Sequence, residues 1–136
     1  MATSPWLVSG VILVGITAVL AALYAFVYQS PRALPPAAAR VVLRNRDIDA
    51  VVDVRTDAEW STGHYPNAIH IPLQELTREL PHSVPDRDSR ILFYCRTGHR
   101  ATIAARIAAD LGYGRTYYLI GDYTELEQPS HPIHPN

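Results

Sequence analysis

Ile91-Leu92-Phe93-Tyr94-Cys95-Arg96-Thr97-Gly98-His99-Arg100-Ala101 is the stretch of sequence that decides the fold. Its apolar beginning predicts a buried strand, and the alanine-rich run from Ala101 to Leu111 predicts a helix. The only cysteine of the chain lies between the two. Backbone N–H groups at a helix start and nearby arginine side chains favour a thiolate and bind small anions. The stretch therefore predicts a strand, a loop with a reactive cysteine, and a helix.

Strands and helices alternate on both sides of this unit. Strands are predicted at 50–55, 68–72, 90–94 and 116–120, and helices at 37–46, 57–60, 73–80, 101–111 and 123–128. Thr56 and Glu59 have the spacing of a capping box at a helix start, and residues 81–88 are predicted to form a polar loop. This alternation predicts an α/β domain with a central, mostly parallel sheet flanked by helices. Such sheets hold their ligand sites at the carboxyl ends of the strands, where Cys95 lies.

The N-terminal stretch from Leu7 to Val27 is apolar and uncharged over 21 residues. A helix of that length rises about 31 Å, which matches the hydrocarbon core of a bilayer. Trp6 and Tyr24 lie near its ends, as is typical of membrane interfaces. We therefore expect one transmembrane helix that contacts membrane lipid through residues 7–27. A secretory signal peptide is the alternative; no basic residue precedes the apolar run, although Ala37–Ala39 leaves cleavage open.

Arginines follow the apolar stretch and none precedes it; they include Arg32, Arg40, Arg44 and Arg46. The positive-inside tendency then predicts a single-pass protein of the cell inner (cytoplasmic) membrane with a cytoplasmic C-terminal domain. The expected organisation is an anchor at 1–30, a proline-rich linker at 31–38, the α/β domain at 39–128 and a disordered tail at 129–136. The anchor also suggests a membrane protein partner.

The overall composition gives no sign of a nucleic-acid partner, because the formal net charge is −1. One cysteine excludes a disulfide framework and a zinc site built from several cysteines. His131 and His134 resemble a metal-binding pair, but Pro132 separates them and breaks the helical spacing, so no metal site is expected. A lone cysteine is commonly a small buried hydrophobe. The glycine and two arginines of the loop raise the alternative of an anion-binding nucleophile, and spacing alone leaves the two readings even.

The residues resemble the rhodanese domain in its small single-domain form. The resemblance is carried by the loop pattern C-x-x-G-x-R and by a preceding series of motif residues: Asp53, Arg55, Glu59, Trp60, Gly63, His64, Ala68 and Pro72. It implies that Cys95 accepts sulfur from a small donor such as thiosulfate and passes it to a thiol or cyanide, with no metal or organic cofactor. It also implies that the donor binds to the loop residues Arg96, Thr97, Gly98, His99 and Arg100. Asp53 and Arg55 are expected to support the loop through an ion pair.

Two other functions compete with sulfur transfer. Cysteine phosphatases and arsenate reductases separate the cysteine from the arginine by five residues, whereas only four separate Cys95 from Arg100. The loop is therefore one residue too short for a tetrahedral oxyanion. The second alternative is a non-catalytic, rhodanese-like interaction module tethered to a membrane.

Overall fold

The computed structural model describes residues 4–127 of the chain. Its first element, α1 (Pro5–Gln29), is one continuous helix. The stretch Pro5–Val27 is long and apolar enough to cross a membrane, and none of it is buried inside the protein. The hydroxyls of Ser9 and Thr17 donate hydrogen bonds to carbonyls one turn earlier in the same helix, so these polar groups are satisfied without water. α1 is thus a candidate membrane span and not a core helix of the domain.

Strands and helices alternate after α1, as the sequence predicted. They are β1 (Arg32–Leu34), α2 (Pro36–Arg44), β2 (Ala50–Asp53), α3 (Asp57–Ser61), β3 (Ile69–His70), a 3₁₀ turn (Leu73–Glu75), α4 (Leu76–Ser83), β4 (Ile91–Tyr94), α5 (His99–Asp110), β5 (Thr116–Leu119) and α6 (Thr124–Glu127).

The five strands form one sheet in the order β1-β5-β4-β2-β3, and every pairing is parallel. The predicted parallel sheet flanked by helices is confirmed. All strands therefore begin at one side of the sheet, the amino edge, and end at the other, the carboxyl edge. The central strand β4 is buried along its whole length. Cys95 is the first residue beyond it, so the cysteine lies at the middle of the carboxyl edge.

A hydrophobic layer covers each face of the sheet. On one face α5 packs closely because it presents four buried alanines at helical spacing: Ala101, Ala104, Ala105 and Ala108. On the other face α2 and α6 bury Ala39 and Leu126 against Leu92 and Leu119. Small side chains on α5 keep the helix near β4 and β5, which fixes the position of the loop that joins β4 to α5.

The structure places β1 inside the segment 31–38, where the sequence predicted only a linker. Residues Arg32–Leu34 pair with β5, and the N–H of Ile120 donates to the carbonyl of Leu34 at 2.9 Å. Prolines flank β1 on both sides, and proline is tolerated at the end of an edge strand. Sequence composition alone did not distinguish this strand from a stiff linker, because both are short segments flanked by prolines. Only Ser30 and Pro31 separate α1 from the sheet.

A second difference concerns α4, which continues to Ser83 although a loop was predicted from Pro81 onward. Proline removes one hydrogen bond of a helix and crowds the preceding turn, and α4 ends two residues after Pro81. The hydroxyl of Tyr113 donates to the carbonyl of Val84, the residue just after α4. The predicted tail at 129–136, with His131 and His134, lies outside the described residues.

Candidate active site

The loop after β4 curls around the sulfur of Cys95. The backbone N–H of Gly98 donates a hydrogen bond to Sγ at 3.1 Å, and 1% of the cysteine is exposed. α5 begins at His99, immediately after that N–H. The predicted arrangement of a cysteine between a strand and a helix start is therefore present, and the sulfur already accepts one hydrogen bond from the loop.

Gly98 is the residue that allows this turn. Its φ of 96° lies in the left-handed region that side chains disfavour. A Cβ at this position would also lie 3.0 Å from the carbonyl oxygen of Leu119, at the end of β5. The loop is thus pressed against the carboxyl edge of the neighbouring strand, and glycine is required for both conformation and space.

The two arginines of the loop have different surroundings. Arg96 is exposed and makes no ion pair with any of residues 4–127. Arg100 donates from its two terminal nitrogens to the two carboxylate oxygens of Glu59, at 2.7 and 2.9 Å. The hydrogen bond to Glu59 raises the pKa of Arg100, and the same bond lowers the pKa of Glu59 from 4.5 to about 2. Both arginines were predicted to attract an anionic donor, yet the charge of Arg100 is already matched by a carboxylate.

Glu59 also caps α3. The N–H and hydroxyl of Thr56 donate to Glu59 Oε1, and the N–H of Glu59 donates to Thr56 Oγ1. The predicted capping box is confirmed. One carboxylate therefore joins the start of α3 to the start of α5. Sequence reasoning recognised the cap but missed the ion pair, because the two partners are 41 residues apart and no local pattern connects them.

Asp53 and Arg55 form the ion pair that the sequence predicted at the end of β2. Asp53 is fully buried, and the Arg55 guanidinium donates to its two carboxylate oxygens at 2.7–3.0 Å. Burial opposes the charge on Arg55, but the hydrogen bonds that its guanidinium donates to Asp53 raise the pKa of the guanidinium overall. Its second partner is the carbonyl of Gly63, at 2.7 Å. No hydrogen bond links the pair to residues 96–100, and the guanidinium also lies over the rings of Tyr123 and Tyr94, at 4.7 and 5.6 Å.

An aromatic stack lies beside α3. The ring of Trp60 is nearly parallel to the rings of His64 and His70, with centroid distances of 3.5 and 4.6 Å. The stack packs the segment that follows α3 onto β3. His64, one of the motif residues that carry the family resemblance, is held by this contact with Trp60.

The remaining loop residues, Thr97 and His99, are exposed. The carboxyl edge thus brings together the buried cysteine, the Gly98 N–H and the exposed Arg96, which has no ion-pair partner within residues 4–127. The profile of the rhodanese-like domain matches residues 38–128, about two thirds of the chain.

The chain belongs to the rhodanese-like domain family.

Relatives of this rhodanese-like chain include single-domain sulfurtransferases. A protein named sulfurtransferase from Allochromatium vinosum is 35% identical over 83 residues, which covers 61% of this chain and 76% of the relative. The thiosulfate sulfurtransferase PspE of Escherichia coli is 32% identical over 62 residues, 46% of this chain and 60% of PspE. The solved structure of the human single-domain sulfurtransferase TSTD1 superposes with a TM-score of 0.59 at 28% identity, covering 72% of this chain and 97% of TSTD1.

The same domain also occurs within proteins of other kinds. The HTH-type transcriptional regulator Rv0324 of Mycobacterium tuberculosis is 44% identical over 75 residues, yet the match is only 32% of that protein. The chain thus spans 32% of the length of Rv0324 and 60% of the length of PspE. Membership of the rhodanese-like family is therefore established, whereas the activity and partners of those whole proteins are not carried over.

The rhodanese-like loop can do two things chemically. The Gly98 N–H, at the start of α5, donates a hydrogen bond to Sγ, and the exposed Arg96 is a cation of the kind that binds small anions. Among residues 4–127, no group of three or more His, Cys, Asp or Glu side chains is placed to hold a metal ion.

Proposed function

We propose that this rhodanese-like protein is a sulfurtransferase that carries sulfane sulfur on Cys95 as a persulfide. The observation that carries the proposal is the hydrogen bond from the Gly98 N–H to Sγ at the end of the central strand. A sulfur added to Sγ would extend toward the loop entrance, among the exposed residues 96, 97 and 99. The names of the sulfurtransferase relatives support the same reaction class.

The proposed reaction has two steps. The Cys95 thiolate attacks the outer sulfur of thiosulfate, the S–S bond of the donor breaks, and sulfite leaves with the bonding electron pair. Cyanide or a thiolate then attacks the terminal persulfide sulfur, which regenerates the Cys95 thiolate and releases thiocyanate or a new persulfide. This ping-pong sequence needs no outside oxidant.

The surroundings of the two arginines divide their roles. Arg96 is exposed and unpaired within the described residues, so we assign it the attraction of the anionic donor. Arg100 is held by Glu59, so its contribution is to position the start of α5. The backbone around the Cys95 sulfur comes from Thr97, Gly98 and His99. The ion pair of Asp53 and Arg55 supports the ring of Tyr94, which precedes the cysteine.

We further propose that α1 anchors the protein in a membrane. The exposed apolar surface of Pro5–Val27 and its internally bonded hydroxyls support a lipid-facing helix. The arginines after the span support a single-pass orientation with the domain in the cytoplasm and the anchor in the inner membrane. A C-terminal reporter fusion tests this orientation, and a periplasmic signal would contradict it.

Mass spectrometry of the full chain tests the sulfur chemistry. After thiosulfate treatment we expect one added sulfur atom on Cys95, none in Cys95→Ser, and release of that sulfur when cyanide is added. Arg96→Gln should slow loading from thiosulfate, whereas Arg44→Gln, which removes an exposed charge on α2, should not. Absence of any adduct with thiosulfate and with several persulfide donors would refute the proposal.

A second candidate function is a non-catalytic interaction module. The near-complete burial of Cys95 favours it, as does the occurrence of the domain in a transcriptional regulator. A thiol that also resists small alkylating reagents in the folded chain would support this alternative.

A further inference from the structure

A cleft of about 430 Å³ lies at the amino edge of the sheet, on the opposite side from Cys95. The end of α1 forms one wall through Tyr24, Gln29 and Ser30. The other wall comes from the starts of the strands, and its residues include Arg32, Asp88, Gly114 and Arg115. The cleft is therefore separate from the sulfur-transfer site and lies where the candidate membrane span meets the domain.

Arg32 and Arg115 lie on the same face of the sheet. Arg32 is in register with Tyr117 across the parallel pair of β1 and β5, and Arg115 precedes Tyr117 by two residues. Register partners in a parallel pair, and residues two apart along a strand, share a face. The carbonyl of Arg115 accepts a hydrogen bond from the Ile91 N–H, so the ladder extends to this residue. The two Cα atoms are then about 8 Å apart, within reach of one small anion for two long side chains.

Neither guanidinium has a polar partner among the described residues. The side chains of Arg32 and Arg115 make no hydrogen bond or ion pair with any other residue in the range 4–127. Arg115 lies near enough to Asp49 to lower the pKa of that carboxyl, but Asp49 already accepts three hydrogen bonds from Arg90. Two arginines in one cleft, neither of them in an ion pair with a described carboxylate, are suited to binding a phosphate oxygen.

We infer that this cleft binds the phosphodiester group of a membrane lipid headgroup. The inference rests on the proposed membrane anchoring, since the end of α1 places the cleft at headgroup level. Asp88 lines the same cleft and disfavours a ligand with two negative charges, so a singly charged phosphodiester fits better than a phosphomonoester. Bound lipid would fix the domain against the bilayer through Arg32 and Arg115.

Native mass spectrometry of the full chain tests this site. The chain is released from mixed micelles that contain phosphatidylglycerol, and retained lipid is counted. We expect one lipid per wild-type chain and a loss of about tenfold or more in the double variant R32Q/R115Q. The variant R44Q/R46Q removes two exposed arginines outside the cleft and should retain lipid like the wild type. R32K/R115K keeps the charge without the forked geometry and should retain an intermediate amount.

Equal lipid retention by R32Q/R115Q and wild type would overturn the inference, as would an equal loss in R44Q/R46Q. Loss of bound lipid from both wild type and R44Q/R46Q at low concentrations of inorganic phosphate would assign the cleft to free phosphate and not to lipid. A thermal melt of each variant checks folding.

Failure of anchoring has its own readout. Flotation of the full chain with phosphatidylcholine vesicles after an alkaline wash reports insertion of α1, and R32Q/R115Q should float like wild type. A chain that does not float refutes the anchor itself. A chain that floats but retains no lipid refutes only the headgroup site.

Discussion

Replacing Glu59 by glutamine removes the charge that holds Arg100 while keeping the shape of the side chain. Glutamine also serves in a capping box, so the start of α3 keeps its acceptor for Thr56. The change therefore isolates the ion pair between α3 and α5. We expect Glu59→Gln to lower the free energy of unfolding at neutral pH and to loosen the start of α5 behind Gly98.

The size of the effect follows from the pKa of Glu59, which is lowered from 4.5 to about 2 chiefly by the hydrogen bond from Arg100. A shift of that size corresponds to about 3 kcal/mol of stability. Because 28–29% of each side chain is exposed, solvent screening reduces it to about 1–2 kcal/mol. For a domain of this size the loss amounts to about 5–10 °C in the melting temperature.

The pH dependence gives the sharper test. A lowered folded-state pKa stabilises the protein fully above 4.5, and the stabilisation is lost as the pH falls toward 2. Thermal melts of wild type and Glu59→Gln in mild detergent should therefore differ at pH 7 and converge near pH 2. Asp49, whose pKa is also about 2, is present in both proteins and cancels in the comparison. Equal melting temperatures at pH 7, or a gap that persists at pH 2, would refute the reasoning.

Three further predictions concern packing around the sheet. Gly98→Ala should lower the free energy of unfolding more than Gly112→Ala, because the two glycines have similar positive φ but only Gly98 lies against a backbone carbonyl. The φ strain alone costs about 1–2 kcal/mol in each variant. Equal losses in urea unfolding would contradict the contact. Thr116→Val should raise the free energy of unfolding by about 1 kcal/mol, because the buried hydroxyl of Thr116 has no hydrogen-bond partner among the described residues. Thr116→Ser, which keeps the hydroxyl, is the control. A chain that begins at residue 35 should be about 2 kcal/mol less stable than one that begins at residue 30, because only the shorter chain lacks β1, and indistinguishable melts would show that β1 adds nothing.

Local patterns were sufficient for the parts of the fold whose residues are close in sequence. The apolar run at 91–94 predicted β4, and the spacing of Thr56 and Glu59 predicted the cap of α3. The ion pair of Asp53 and Arg55 was also within reach, since its partners are two residues apart. The position of the cysteine at the carboxyl edge followed from the general rule for parallel sheets.

Contacts between distant residues were not predictable in this way. Arg100 follows the cysteine at the spacing expected for a donor-binding residue, and nothing in its own segment shows that Glu59 pairs with it. β1 was missed for a similar reason. A segment of three residues becomes an edge strand only by pairing with β5, and Arg32 and its register partner Tyr117 are 85 positions apart. Local pattern therefore predicted the loop and its cysteine. The long-range ion pair with Glu59 determines that Arg100 is paired while Arg96 has no ion-pair partner among the described residues.

The position of β1 determines how a substrate of the proposed sulfur transfer would reach Cys95. Only Ser30 and Pro31 join α1 to β1, so the amino edge of the sheet is held close to the end of the candidate span. Register across β5 aligns Arg32 with Leu92, which places Cys95 about 10 Å farther along the strand direction. With α1 in a bilayer, the cysteine loop then opens on the side of the domain that faces away from the lipid. For the proposed sulfur transfer, a donor dissolved in the aqueous phase would first meet the exposed loop residues 96, 97 and 99, whereas a donor in the hydrocarbon core would have to pass the whole length of the sheet.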